Sequence, residues 1–171
     1  MSAKSRQLQL SALESFVDRK LRSMISETCA AIADLLNADG INYTVFLQIS
    51  VVSLPGDRSS EELVRAALGS SSLIGGIHDV PSKEMVDEVR ASLSYAGDAG
   101  AGPGSDVVQS TRFNTLLDTL TADLQALASR ATAVEQFWLK AGHPAYPVFW
   151  DFAFLVRNTH ESVVLVGSSS D

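Results

Sequence analysis

The chain is short of residues that staple, anchor or ligate. Its 171 residues include one cysteine, Cys29, which excludes an internal disulfide framework and a cysteine-rich zinc site. It has three histidines, His78, His143 and His160, and no two of them show a short ligand spacing. No apolar run approaches the roughly 20 residues that span a bilayer. The opening run MSAKSRQLQLSALESF lacks the apolar stretch of a signal peptide, so a soluble, cytoplasmic protein is expected. Positive charge is scarce as well. Thirteen Lys and Arg against 20 Asp and Glu leave a formal net charge of -7, which argues against general affinity for nucleic acid. The motifs G-x-S-x-G, H-E-x-x-H, C-x-x-C and the P-loop are all missing. No catalytic residue, metal site or cofactor is therefore assigned.

The chain does hold apolar periodicity. Hydrophobic residues make up 46% and charged residues 19%, enough to build a core. Ser11-Ala-Leu-Glu14 reads as a capping box, with Leu13, Val17, Leu21, Ile25, Ile32 and Leu36 following at helical spacing. Asn37 and Gly40 mark a stop, so a long helix is expected over about 11–37. Residues 41–54 are β-branched and aromatic, and apolar enough for a strand covered on both faces. Ser59-Ser-Glu-Glu62 opens a short helix to Leu68, and Ser82 caps another carrying Met85, Val86, Val89 and Leu93. The Ser- and Gly-rich stretch between them, 70–80, reads as a loop holding His78 and Asp79. The run Gly97 to Gly104, with four glycines and a proline, reads as a flexible surface connection.

Over residues 106–140 the apolar positions Phe113, Leu117, Leu120, Leu124, Leu127, Ala131, Val134 and Trp138 are spaced 4-3-4-3-4-3-4. That is a heptad stripe and predicts a second long helix, ended by Gly142. It would pack on the first helix or pair with a second copy. In the tail, Val148, Trp150, Phe152, Phe154 and Val156 alternate onto one face. Asn158-Thr-His-Glu161 then turns the chain, and Val163 to Val166 return. The expectation is a single α+β domain over 1–171. Two long and two short helices pack on a small, mainly antiparallel sheet that ends in a β-hairpin. The run ADLLNADGINYTVFLQIS, residues 33–50, resembles the helix-to-strand entry of GAF-type sensor domains. The elements read after it come in another order, and the resemblance carries no site residue.

Four residues stand out as binding candidates. Glu84 and Glu88 lie four apart on the third helix with Asp87 beside them, a local concentration of negative charge. Tyr146 stands between Pro144 and Pro147, a stiff loop that either presents the ring to a partner or packs it inside. Asp151 sits among Phe149, Trp150, Phe152 and Phe154, where strand propensity disfavours it. Arg157 shares its face but lies six residues along, about 20 Å, too far to pair. Cys29 lies mid-helix without a neighbouring cation and reads as packing. Residues 56–60, before a helix N-terminus, read as capping. The first 22 residues carry a local balance of +3 (Lys4, Arg6, Arg19, Lys20 and Arg22 against Glu14 and Asp18), so the remaining chain is strongly acidic. These features favour a non-enzymatic protein that docks on a protein partner, of basic character, in an inhibitor- or immunity-type role. The alternatives are a small hydrolase or metal-dependent enzyme using His78, Asp79, His143, Asp151 or His160, and a helical homodimerisation module built on the stripe. Neither nucleic acid nor membrane is an expected partner.

Overall fold

The computed structural model describes residues 3–54, 57–98, 100–159 and 161–171, with side chains from Arg19 onward. The element order is α1 (Ala3–Ala38), β1 (Thr44–Val52), α2 (Ser60–Leu68), β2 (Leu73–Asp79), α3 (Ser82–Leu93), α4 (Thr111–Ala128), β3 (Ala133–Ala141), β4 (Trp150–Arg157) and β5 (Ser162–Ser170). The strands form one antiparallel sheet in the order β1-β5-β4-β3-β2, so the α+β expectation and the C-terminal hairpin hold. No helix among the described residues is long and apolar enough to cross a membrane.

Alternation along the strands divides the apolar residues between two faces. On one face Phe152, Phe154, Val156, Val163 and Leu165 meet Ile25, Ile32 and Leu36 of α1, Met85, Val89 and Leu93 of α3, and Phe113, Leu117, Leu120 and Leu124 of α4. On the other, Ala153, Leu155, Val164, Val166 and Phe137 meet Leu63 and Val64 of α2. Cys29 belongs to the first core, and burial pushes its thiol up to about 12, so it packs as a small apolar residue. The α4 stripe from Phe113 to Leu124 is thus buried within its own chain.

Three boundaries differ from the sequence expectation. α1 begins at Ala3, which places Ser11 inside the helix, where it cannot act as N-cap. α4 ends at Ala128 with Ser129 as C-cap, and the expected helix to residue 140 is instead β3. There the last three positions of the 4-3-4 spacing take another structure. Val134 enters the first core, Phe137 and Leu139 line the second, and Trp138 is 55% exposed. Ladder bonds to β2 and β4 supply the backbone partners, and the β-branched and aromatic residues fit a pleated surface better than a helix. Residues 73–79, expected as loop, form edge strand β2.

At α3 the N-cap is Pro81, whose side chain cannot cap, and Ser82 is the first helical residue rather than the expected cap. The α2 start behaves as expected. Ser59 accepts from the Glu62 amide while the Glu62 carboxylate accepts from the Ser59 amide, a complete capping box. Asn37 near the end of α1 bonds both backbone groups of Val45, through Oδ1 at 2.7 Å and Nδ2 at 3.0 Å. The helix stop thereby aims the chain into β1. The Gly97–Gly104 segment is tied back there too, because Ile41 and Gly102 exchange backbone hydrogen bonds of 3.0 Å.

Candidate functional site

Three polar or exposed features stand out, and the fold keeps them apart. The first is a cleft of about 290 Å³ at the turn end of the β4–β5 hairpin, lined by Val52, Arg58, Leu63, Thr132, Arg157 and Glu161 among others. Arg157 donates from Nε to Glu135 (2.9 Å), from Nη2 to Ser60 Oγ (2.8 Å) and from Nη1 to the Arg58 carbonyl (3.1 Å). Ser60 Oγ donates onward to Glu135. Glu161 is held by Arg22 and by Ser53 Oγ, and the Arg22 hydrogen bond holds its carboxyl below the usual carboxylate range. Arg157 and Glu161 thus already have partners. Their bonds fasten α2 and α1 to the end of the sheet.

The second feature is the acidic face of α3. Glu84, Asp87 and Glu88 are exposed beside an open groove that also involves Pro81, Lys83 and Ala91. Lys83 pairs with Asp87, whereas no ion pair reaches Glu84 or Glu88 among the described residues.

The third is the loop 142–149 between β3 and β4. Gly142 starts it at φ +73, with the Ser71 carbonyl oxygen 2.5 Å from where a Cβ would stand, so both the turn and the close approach require glycine. The Ala145 amide donates to His143 Nδ1 (3.1 Å), and the Ala145 carbonyl accepts from Ser168 Oγ (3.3 Å). Past Pro147, the Val148 and Phe149 amides both donate to the Ser169 carbonyl, at 2.8 and 3.2 Å. The Phe149 ring packs with Tyr43 and Tyr95 at centroid distances of 5.6 and 6.0 Å. Between these ties Tyr146 is 81% exposed and Val148 51%. Tyr146 therefore does not join the core, one of the two expectations for it.

Asp151 pairs in register with Ser168 on the α2 face of the sheet, and its side chain is exposed. Its charge acts on His143, whose ring lies in the same neighbourhood. Burial, the larger effect, lowers the His143 pKa from its ordinary value, while the Asp151 charge opposes this. The His143 Nε2 atom is buried without a hydrogen-bond partner.

Of the residues singled out from sequence, then, His143 and Asp151 come together on the α2 side, and Tyr146 stands on the same loop as His143. Glu84 and Glu88 lie on α3, which packs on the opposite face of the sheet. His78 is opposite Gln136 on edge strand β2, seven residues or about 20 Å of chain from His143. His160 lies outside the described residues. No group of three or more His, Cys, Asp or Glu is placed to hold a metal among the described residues. The Arg157–Glu135–Ser60 network had no sequence signal, because strand pairing and the packing of α2 bring its residues together, whereas the grip of His143 on Ala145 is local to the loop. No family model, curated protein or solved structure matches the chain.

Proposed function

We propose that the protein is a binding protein that docks on a basic protein partner, with the 142–149 loop as contact and Tyr146 as anchor. An inhibitor- or immunity-type role is the concrete form. The observation that carries this reading is a Tyr that is 81% exposed on a loop held by backbone hydrogen bonds on both sides of it. A loop backbone already held in place loses little conformational freedom on binding, and tyrosine is among the residues that dominate interface energetics. Asp151 stands beside the loop as a short-range negative group. Glu84 and Glu88 repel each other mildly along the helix, which favours a cationic partner. Lying on the opposite layer, they act through the long-range field and raise the encounter rate without sharing the Tyr146 contact.

The test is capture from native lysate by the wild type, Tyr146→Ala, and Glu84→Lys with Glu88→Lys, followed by association rates for the captured protein at low and high salt. A basic partner is expected, held about tenfold or more weakly by Tyr146→Ala and captured more slowly by the charge-reversed protein. A partner that Tyr146→Ala holds as tightly as wild type, or an on-rate indifferent to salt, contradicts the proposal.

A further inference from the structure

The hydrogen bonds of the 142–149 loop are not alike. Four of them involve amides, carbonyls and serine hydroxyls, none of which titrates near neutrality. The fifth runs from the Ala145 amide to His143 Nδ1 at 3.1 Å, and there the acceptor is the lone pair of a neutral imidazole. A proton on Nδ1 consumes that lone pair, leaving two N–H groups facing each other. The neutral ring therefore carries its own proton on Nε2, the buried atom without a partner. Both nitrogens of a charged ring would then be donors, one opposed by an amide and one unsatisfied in a buried place.

We propose that protonation of His143 is a release switch for the 142–149 loop: the neutral ring clamps Ala145, and the charged ring lets go and turns toward the Asp151 carboxylate. The surroundings fit a single opposing charge. Asp151 on β4 is the charged group that acts on the ring, while Ser168 on β5 and the Ser71–Ser72 backbone against Gly142 bring none. The sign follows from the lowered pKa. The clamped form binds its proton less readily than an open loop with an ordinary value of 6.5, so clamping is at full strength above that pH. It weakens as pH falls below 6.5 toward the lowered value. Acid thus frees the segment that carries Tyr146. The switch concerns the conformation of the loop and holds whether or not Tyr146 is a docking residue.

The experiment is residue-resolved amide exchange at about pH 7.5 and about pH 5, corrected for intrinsic rates, with the His143 ring titration followed by NMR. In the wild type, protection of Ala145 is expected to fall about tenfold or more as the ring titrates, while Val164 in β5 keeps its protection. His143→Ala is expected to show weak protection at both pH values and no step. Asp151→Asn removes the charge that favours the protonated ring, so the midpoint should move to lower pH. Unchanged Ala145 protection through the His143 titration, a step that survives in His143→Ala, or an Asp151→Asn midpoint that stays or rises overturns the proposal.

Discussion

Asp123 on α4 has a carboxylate oxygen, Oδ2, that is buried without a hydrogen-bond partner, and burial raises its pKa above the ordinary 3.8. A carboxyl that holds its proton more tightly when folded penalises folding once it must ionise. The penalty is absent at acid pH, grows as pH rises from 3.8 through the raised folded value, and is constant above it. Asp123→Asn should therefore melt higher than wild type at neutral pH, with the gap closing toward about pH 3. Thermal melts across that range check this, and a neutral-pH melting temperature equal to or below wild type speaks against it. Glu161 is the reverse case. Its carboxyl is lowered by Arg22, so the stability it lends is present above its ordinary 4.5 and lost as pH falls through the lowered value. Neither shift is visible in the sequence, where Asp123 is one acid on a helix and Arg22 lies 139 residues from Glu161.

At the scale of elements, α4 is the inner helix of the first core. Leu124 is 0% exposed, and truncating it to Ala should cost about 2–5 kcal/mol, read from denaturant unfolding. A value below about 1 kcal/mol would mean that the site collapses freely or the helix packs elsewhere. Edge strand β2 gives a second test. The Trp138 ring lies across Gly75 and Gly76, 2.0 Å from where a Gly75 Cβ would stand. Gly75→Ala must displace the ring, so a red-shifted, more quenchable tryptophan emission is expected, against no change if the ring does not lie there. These two elements also mark how far local pattern reaches. α2 is legible from its capping box, α3 from helical periodicity although its cap is Pro81 and not Ser82, and β1 and the β4–β5 hairpin from their β-branched and aromatic content and alternation. β2 is not, since Leu-Ile-Gly-Gly-Ile-His-Asp has two glycines and little alternation, and its strand state comes from pairing with β3. β3 is misread because Ala131, Val134 and Trp138 continue a heptad spacing by coincidence, while the chain turns at Ser129 and Arg130. The site divides the same way. Tyr146 is marked by its flanking prolines, but its neighbours His143 and Asp151 meet across a loop and a strand.

The whole molecule is a sheet with α1, α3 and α4 on one side and α2 with the proline loop on the other. Its charge follows neither layer alone. The turn end of the hairpin gathers Arg22, Arg58 and Arg157 with Glu135 and Glu161, while α3 holds Glu84 and Glu88, which no ion pair reaches among the described residues. The most direct test is a photo-reactive benzoylphenylalanine in place of Tyr146, with the same residue in place of exposed Ala122 on α4 as control, irradiated in native lysate. The account predicts one discrete cross-linked product from position 146, to a basic protein, reduced by salt and absent from position 122. No discrete product from 146, or the same product from both positions, would contradict it.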